Sequence, residues 1–123
     1  MLATVQERAS VAALVHIFPP ELYPYPREAI RGRWAEALAD PAKRVLIAVI
    51  EDEPAGAACV SGEWLEGLYV VPELWGSGLA DALHGQALEV VRDLGSERCH
   101  LWVLEDNARA RRFYERRGWQ ENG

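Results

Sequence analysis

The sequence is short of cysteine, of long hydrophobic runs and of positive charge. Its two cysteines, Cys59 and Cys99, form no CxxC pair and have no histidine at metal-ligand spacing, so we expect two buried thiols rather than a disulfide or a zinc site. The longest apolar run covers only residues 45–50, and the N-terminus lacks the cationic start and apolar centre of a signal peptide. We therefore expect a cytoplasmic protein that has no metal site.

The charge balance is acidic. Nineteen acidic residues against thirteen basic ones give a net charge of -6, which disfavours nucleic acid as a partner and favours cations, including protonated amines. The 123 residues contain no internal repeat, low-complexity tract or linker. We predict one domain, residues 1–123, that binds neither nucleic acid nor a membrane.

Apolar periodicity predicts helices and strands that alternate along the chain, with a hairpin in the middle. This pattern favours an α/β or α+β domain in which helices cover a mixed sheet. The predicted helices begin near Gln6, Pro26, Leu79 and Asp106 or Asn107, and the predicted strands cover residues 2–5, 45–50, 55–60, 64–71 and 99–104.

A proline-rich loop, residues 18–25, separates the first two predicted helices and carries the aromatic residues Phe18, Tyr23 and Tyr25. Two hypotheses fit it equally well. With the flanking helices it forms one wall of a pocket, or it is a solvated connection whose aromatic side chains pack on the core.

Residues 68–83, with the sequence LYVVPELWGSGLADAL, join a buried strand to a helix through a glycine loop. Gly76 and Gly78 let an anion approach the unpaired N–H groups at the helix N-terminus. Gly78 is not followed by the lysine of a nucleoside-triphosphate loop, and Asp81 stands where a dinucleotide fingerprint has its third glycine. The loop alone is a weak signal, since glycine turns before helices are common.

Residues 101–119 read LWVLEDNARARRFYERRGW, and together the two segments resemble the GCN5-related N-acetyltransferases, in that family's order and spacing. The resemblance covers roughly residues 45–119. It implies a mostly antiparallel sheet that is splayed at a cofactor site and flanked by about four helices. It also implies an enzyme that transfers acetyl from acetyl-coenzyme A to a primary amine of a small molecule or peptide, by direct attack in a ternary complex.

The resemblance also assigns roles around the cofactor. The backbone amides of residues 75–80 would hold the pyrophosphate, and the main chain of Val70 and Val71 would pair with the pantetheine arm. Trp75 stands where the family often has glutamine or arginine. Asn107 would contact the cofactor, or it only caps a helix. The implied cofactor-binding residues are Leu68, Tyr69, Val70, Val71, Trp75, Gly76, Ser77, Gly78, Leu79, Ala80, Asn107, Ala110 and Tyr114.

The predicted chemistry rests on Tyr114. A phenol, with an ordinary pKa of about 10, can protonate the thiolate that leaves as the amide forms; the alternative is a core aromatic beside Phe113. Glu63 or Glu66 would take the proton of the amine, directly or through water, unless both are solvated surface carboxylates. A backbone N–H near Val70 would stabilise the oxyanion.

The family's sheet continues beyond the position of Trp119, whereas this sequence stops at Gly123. We therefore expect either a chain that is shortened relative to the family's domain, or a homodimer in which a second copy supplies the missing edge of the sheet. An acyl-coenzyme A-binding module with weak catalysis is the alternative function, and a domain that binds ATP or NAD is a third. No motif in the sequence identifies the acceptor amine.

Overall fold

The computed structural model describes residues 2–14, 21 and 25–121, and this part of the chain contains four α-helices and three β-strands. A 3-10 turn, Pro72–Leu74, lies between the last strand and the third helix. The elements in chain order are α1 (Leu2–Leu14), α2 (Arg27–Ala39), β1 (Lys43–Ile50), β2 (Glu53–Ser61), β3 (Trp64–Val70), α3 (Leu79–Asp93) and α4 (Ala108–Glu115).

The three strands form an antiparallel sheet in the order β1-β2-β3. Side chains of the central strand alternate between its two faces, as strand geometry requires. Ala55, Ala57 and Cys59 pack with residues of α1 and α2, whereas Ala58 and Val60 pack with residues of α3. The sheet is therefore the middle of three layers.

A β-bulge in β3 lies at Glu66. Cys59 pairs with Gly67 and Val60 pairs with Leu65, so Glu66 is the extra residue on β3. Bulges redirect a strand locally and are frequent beside functional sites. The remaining residues of β3, after this bulge, lead to the glycine loop.

The end of β3 has main-chain groups that point away from β2. The Val71 N–H donates to the Ala55 oxygen at 2.9 Å, and Val70 is the residue opposite Gly56. Because hydrogen-bonded and non-hydrogen-bonded pairs alternate in an antiparallel ladder, the N–H and C=O groups of Val70 and Leu68 face outward. They lie on the side of β3 on which His100 bridges Trp64 in parallel.

The prediction of a strand at residues 99–104 is wrong for this structure. His100 bonds to β3 through two main-chain contacts, its N–H to Glu63 at 2.8 Å and its oxygen to the Leu65 N–H at 2.9 Å. Beyond His100 the segment forms no backbone hydrogen bond with β3 within residues 25–121. A strand needs a paired neighbour, and residues 101–104 have none there. β3 and residues 101–104 therefore diverge after His100, which gives the splayed sheet that the resemblance implies.

The predicted strand at residues 2–5 is also wrong, because α1 begins at Leu2. Its buried residues Leu2, Val5 and Ala9 are spaced by three and four, which is a helical period. Each of the other predicted strands lies within two residues of its predicted bounds, and α2, α3 and α4 begin where the sequence predicts.

Of the proline-rich loop, Phe18 and Tyr23 lie outside the described residues, as does His16 on the preceding segment. Tyr25 is described and packs against the core between α1, α2 and the sheet, as the core-packing hypothesis states for it. Both cysteines are free thiols, and burial raises the pKa of each. Among the described helices, none has the length and apolar character needed to cross a membrane.

Candidate functional site

The glycine loop connects β3 to α3 with two residues in the left-handed conformation. Gly76 has φ 79° and Gly78, the N-cap residue of α3, has φ 93°. A side chain would strain the backbone at either position. A Cβ built there meets no atom within 4 Å. The backbone of the loop is therefore accessible from outside at both glycines.

The loop and the first turn of α3 present backbone donors that the protein itself does not use. The Leu79 N–H is taken by Ser77 Oγ at 3.3 Å, and Ser77 Oγ donates to the Leu74 oxygen at 2.6 Å. Within the described part of the chain, no acceptor pairs with the backbone N–H groups of Gly76, Gly78, Ala80 and Asp81. Unpaired amides at the positive end of a 15-residue helix suit a phosphate group.

The Trp75 side chain is tied to the end of β3. Its Nε1 donates a hydrogen bond of 2.9 Å to the Val70 oxygen, one of the outward main-chain groups. A carbonyl oxygen has two lone pairs, so this bond leaves room for a second donor. The Val71 N–H is already used by Ala55. The Val71 N–H is therefore not available for the predicted pairing with a pantetheine arm, and the pairing of Val70, next to the outward groups of Leu68, stays a prediction.

Asn107 caps α4, as one of the two hypotheses for this residue states. Its Oδ1 accepts the Ala110 N–H at 3.2 Å. The side-chain NH₂ group is not used by this cap and remains a donor. A contact between Asn107 and a cofactor stays a prediction, and so does the corresponding role of Ala110.

Tyr114 lies in an aromatic cluster on the α3 side of the sheet. Its ring centroid is 5.2 Å from that of Phe113, 5.5 Å from that of Trp119 and 6.2 Å from that of His84. Burial, reinforced by the nearby hydroxyl of Tyr69, raises the pKa of Tyr114 well above its ordinary value. The phenol therefore keeps its proton throughout the physiological pH range and is a potential donor.

The two candidate bases lie at different distances from the end of β3. Glu66, at the bulge, forms an ion pair of 3.0 Å with Lys43, which raises the pKa of the lysine. Glu63 precedes the strand and lies 3.4 Å from His100 Nε2. At about 3.3 Å per residue, Glu66 is roughly 13 Å from Val70 along the strand and Glu63 roughly 23 Å. An arm that runs back from the glycine loop reaches Glu66 first.

The aromatic cluster around Tyr114 includes His84 and Trp119. The prediction from the sequence gives neither residue a chemical role. Trp119 Nε1 donates to His84 Nε2 at 2.9 Å, and the His84 ring is only 5% exposed. Burial, followed by the charge of Arg117, lowers the pKa of His84, so the ring is neutral. No local pattern pairs residues 35 positions apart, and only the fold reveals this contact.

A separate surface concavity of about 380 Å³ lies beside the C-terminal half of α3, between residues 96–99 and 117–120. Its lining contains Trp119 but no residue of the glycine loop and no predicted catalytic residue. The volume of this concavity is therefore not evidence that it is the functional site. The unpaired amides and the outward strand groups are the better guide, because they specify a ligand chemistry.

The matches to known proteins agree with this geometry. A sequence model of the family described as "Acetyltransferase (GNAT) family" matches residues 10–119. An uncharacterised N-acetyltransferase of Mycobacterium bovis is 36% identical over 97 residues, which are 75% of this chain and 62% of that protein. The chain thus spans somewhat less than two thirds of the length of that relative.

Solved structures show the same fold at low sequence identity. The PaiA N-acetyltransferase of Thermoplasma acidophilum, in complex with coenzyme A, superimposes with a TM-score of 0.81 at 19% identity, covering 97% of this chain and 81% of that one. The aminoglycoside N-acetyltransferase AAC(6')-Iy, bound to the bisubstrate analogue CoA-S-monomethyl-acetylneamine, gives a TM-score of 0.72 at 18% identity, with 93% and 86% covered.

Proposed function

The chain belongs to the acetyltransferase (GNAT) family, and on this premise we propose that it transfers acetyl from acetyl-coenzyme A to a primary amine. One observation carries the proposal. Outward main-chain groups at Leu68 and Val70 lead directly to a loop whose amides at Gly76 and Gly78 lack partners within the described residues. This arrangement fits a ligand that combines an amide-containing arm with a pyrophosphate.

Acetyl-coenzyme A supplies an activated acyl group, and the residues of this chain supply binding and proton transfer. The glycine-loop amides hold the pyrophosphate, and β3 aligns the arm along its outward edge. An arm held along β3 from the loop toward the N-terminal end of the strand would place its reacting end toward the bulge at Glu66. Positioning of this kind is a major contribution to catalysis of a bimolecular transfer.

Two side chains handle the protons. Glu66 accepts the proton of the attacking amine, directly or through water, with Lys43 orienting its carboxylate at 3.0 Å. Tyr114 donates its proton to the departing sulfur, and its raised pKa keeps the phenol protonated until then. A backbone N–H on the outward edge of β3, at Leu68 or Val70, stabilises the oxyanion.

The acceptor is a small molecule or peptide that carries a primary amine. The bisubstrate complex of the aminoglycoside N-acetyltransferase provides precedent for an amine acceptor on this fold. The net charge of -6 favours a cationic acceptor. Tyr69, whose pKa is raised mainly by burial, packs on the α1–α2 side of the sheet with its ring 6.2 Å from that of Trp34, and it would face the acceptor.

The test is a titration with acetyl-coenzyme A, desulfo-coenzyme A, ATP and NAD, followed by tryptophan fluorescence, since Trp75 belongs to the loop. Selective binding of the first two with micromolar Kd is expected, and then release of free thiol in the presence of amines. Preference for ATP or NAD would refute the proposal. Binding without thiol release over a broad panel of polyamines, aminoglycosides and peptides would favour an acyl-coenzyme A-binding module instead.

A further inference from the structure

An arginine from α4 lies over the tryptophan of the glycine loop. The guanidinium carbon of Arg109 is 3.6 Å from the centroid of the Trp75 ring. The indole is itself anchored by its hydrogen bond of 2.9 Å to the Val70 oxygen. The guanidinium is therefore held beside the loop by a side chain that is fixed to the sheet. Cation–π contacts of this kind favour arginine over lysine.

Arg109 differs from two other arginines of the same segment. Arg111 pairs with Glu121 at 2.6 Å and Arg117 pairs with Asp81 at 2.8 Å. No ion pair between Arg109 and a carboxylate is present within the described residues. Partial burial lowers its pKa, yet a guanidinium stays charged at any physiological pH. Its charge is thus not neutralised by an ion pair in this part of the protein.

The contact with the indole leaves the polar edge of the guanidinium usable. A guanidinium that packs by its face against a ring keeps the N–H donors around its edge free, and two of them match the spacing of two phosphate oxygens. The loop amides at Gly76 and Gly78, one and three residues from Trp75, have no backbone acceptor within the described residues. Both sets of donors suit the same kind of anion.

We propose that Arg109, presented by Trp75, binds the pyrophosphate of acetyl-coenzyme A together with the glycine-loop amides. This inference rests on the proposed function, because it assumes that the loop holds this cofactor. The assignment makes α4 part of the phosphate site and not only the carrier of Tyr114. It also gives Trp75 a role that does not require its own side chain to contact phosphate.

The experiment compares Arg109→Gln with two controls, Arg112→Gln on the same helix and Arg116→Gln at its C-cap, whose side chains are exposed. Calorimetric titration measures Kd for coenzyme A and for dephospho-coenzyme A, which lacks only the 3′-phosphate. We expect Arg109→Gln to weaken both ligands about tenfold or more, the size of one lost charge-assisted contact. The controls should change Kd less than twofold. Arg109→Lys, which keeps the charge but loses the bidentate edge, should fall between.

Turnover with S-acetylpantetheine, which has no phosphate, supplies the second readout. Its kcat/KM should be the same in Arg109→Gln and in the wild type, since the group that Arg109 contacts is absent. An unchanged Kd for coenzyme A in a folded Arg109→Gln variant would overturn the inference and leave the proposed function intact. A loss seen with coenzyme A but not with dephospho-coenzyme A would overturn it in favour of the 3′-phosphate. Failure of the wild type to bind either ligand would refute both proposals.

Discussion

The two segments on either side of the splay are held in different ways. On one side, β3 pairs with β2 along its length, and the loop after it closes on the strand through the bond from Trp75 to Val70. On the other side, residues 99–107 have one bridge to β3, at His100, within the described chain. Trp102 on that side is 84% exposed.

The comparison separates the parts of the site by the kind of chemical group that each provides. The β3 side offers mainly backbone groups, whose positions depend on strand pairing and on glycine conformation. The α4 side offers side chains, chiefly Tyr114 and Arg109, which are held by aromatic contacts. We therefore expect substitutions that alter the backbone of the β3 side to affect cofactor binding, and Tyr114 on the α4 side to affect the chemical step.

The largest effect is expected from Tyr114→Phe. Loss of the proton donor should lower kcat by about 100-fold or more, while Kd for acetyl-coenzyme A changes little, because the ring and its aromatic contacts remain. Stopped-assay turnover and calorimetric binding measure the two quantities. Tyr25→Phe, at a half-buried tyrosine on the opposite face of the sheet, serves as the control. Equal loss of binding and turnover in Tyr114→Phe would remove the division of roles between the two sides.

Glu66→Gln tests the one side chain of the β3 side that has a proposed chemical role. Removal of the base should lower kcat by about tenfold to 100-fold at neutral pH, with recovery as the pH is raised and more of the amine is already deprotonated. Glu63→Gln is the matched control and should keep full activity. The opposite ranking of the two variants would place the reacting end near the β2–β3 turn rather than at the bulge.

The sequence predicted the β3 side better than the α4 side, for a physical reason. Pro72, Gly76 and Gly78 act on their own backbone, so the turn and the start of α3 follow from local rules. The contacts of His84 with Tyr114 and Trp119, and the ion pair of Glu66 with Lys43, join residues distant in the chain. The failed strand at residues 99–104 belongs to the same class, since apolar alternation cannot show whether a partner strand is present.

A pair of glycine substitutions tests the backbone of the β3 side. Gly78→Ala forces a side chain onto a residue with φ 93°, at an expected cost of about 1 kcal/mol in unfolding free energy and a weakening of coenzyme A binding of about tenfold. Gly85→Ala, within α3 and with open space around it, should instead stabilise the protein by about 0.5–1 kcal/mol. Chemical denaturation and calorimetry report both. Equal stability effects would show that the left-handed loop conformation is not required.

The buried neutral His84, whose ring contacts that of Tyr114, predicts that stability depends on pH. Burial lowers the pKa of His84 in the folded state, so protonation of His84 favours the unfolded state. The contribution of neutral His84 to stability is therefore fully present above the pKa that it has in the unfolded state, and it is lost as the pH falls through that value. Urea denaturation between pH 7.5 and 5.5 should show a smaller decline for His84→Gln than for the wild type. His100→Gln, at the half-exposed bridge, is the control. Identical pH slopes for the wild type and His84→Gln would contradict the buried neutral state.

The smallest effect on folding is expected at Trp102. Its ring stacks on Trp64 at a centroid distance of 6.0 Å and an interplanar angle of 16°. Because the Trp102 side chain is exposed, Trp102→Ser should change the free energy of unfolding by less than about 0.5 kcal/mol.

We propose that a second copy covers the apolar surface formed by Trp64 and Trp102 in a homodimer. Sedimentation equilibrium should then give a dimer mass for the wild type and a lower mass for Trp102→Ser. Leu38→Ser, which removes an apolar side chain 61% exposed on α2, should remain dimeric. A monomer mass for the wild type at every concentration would contradict the proposal. Residues 101–104 would then be weakly attached to the sheet in the protein as it exists in solution.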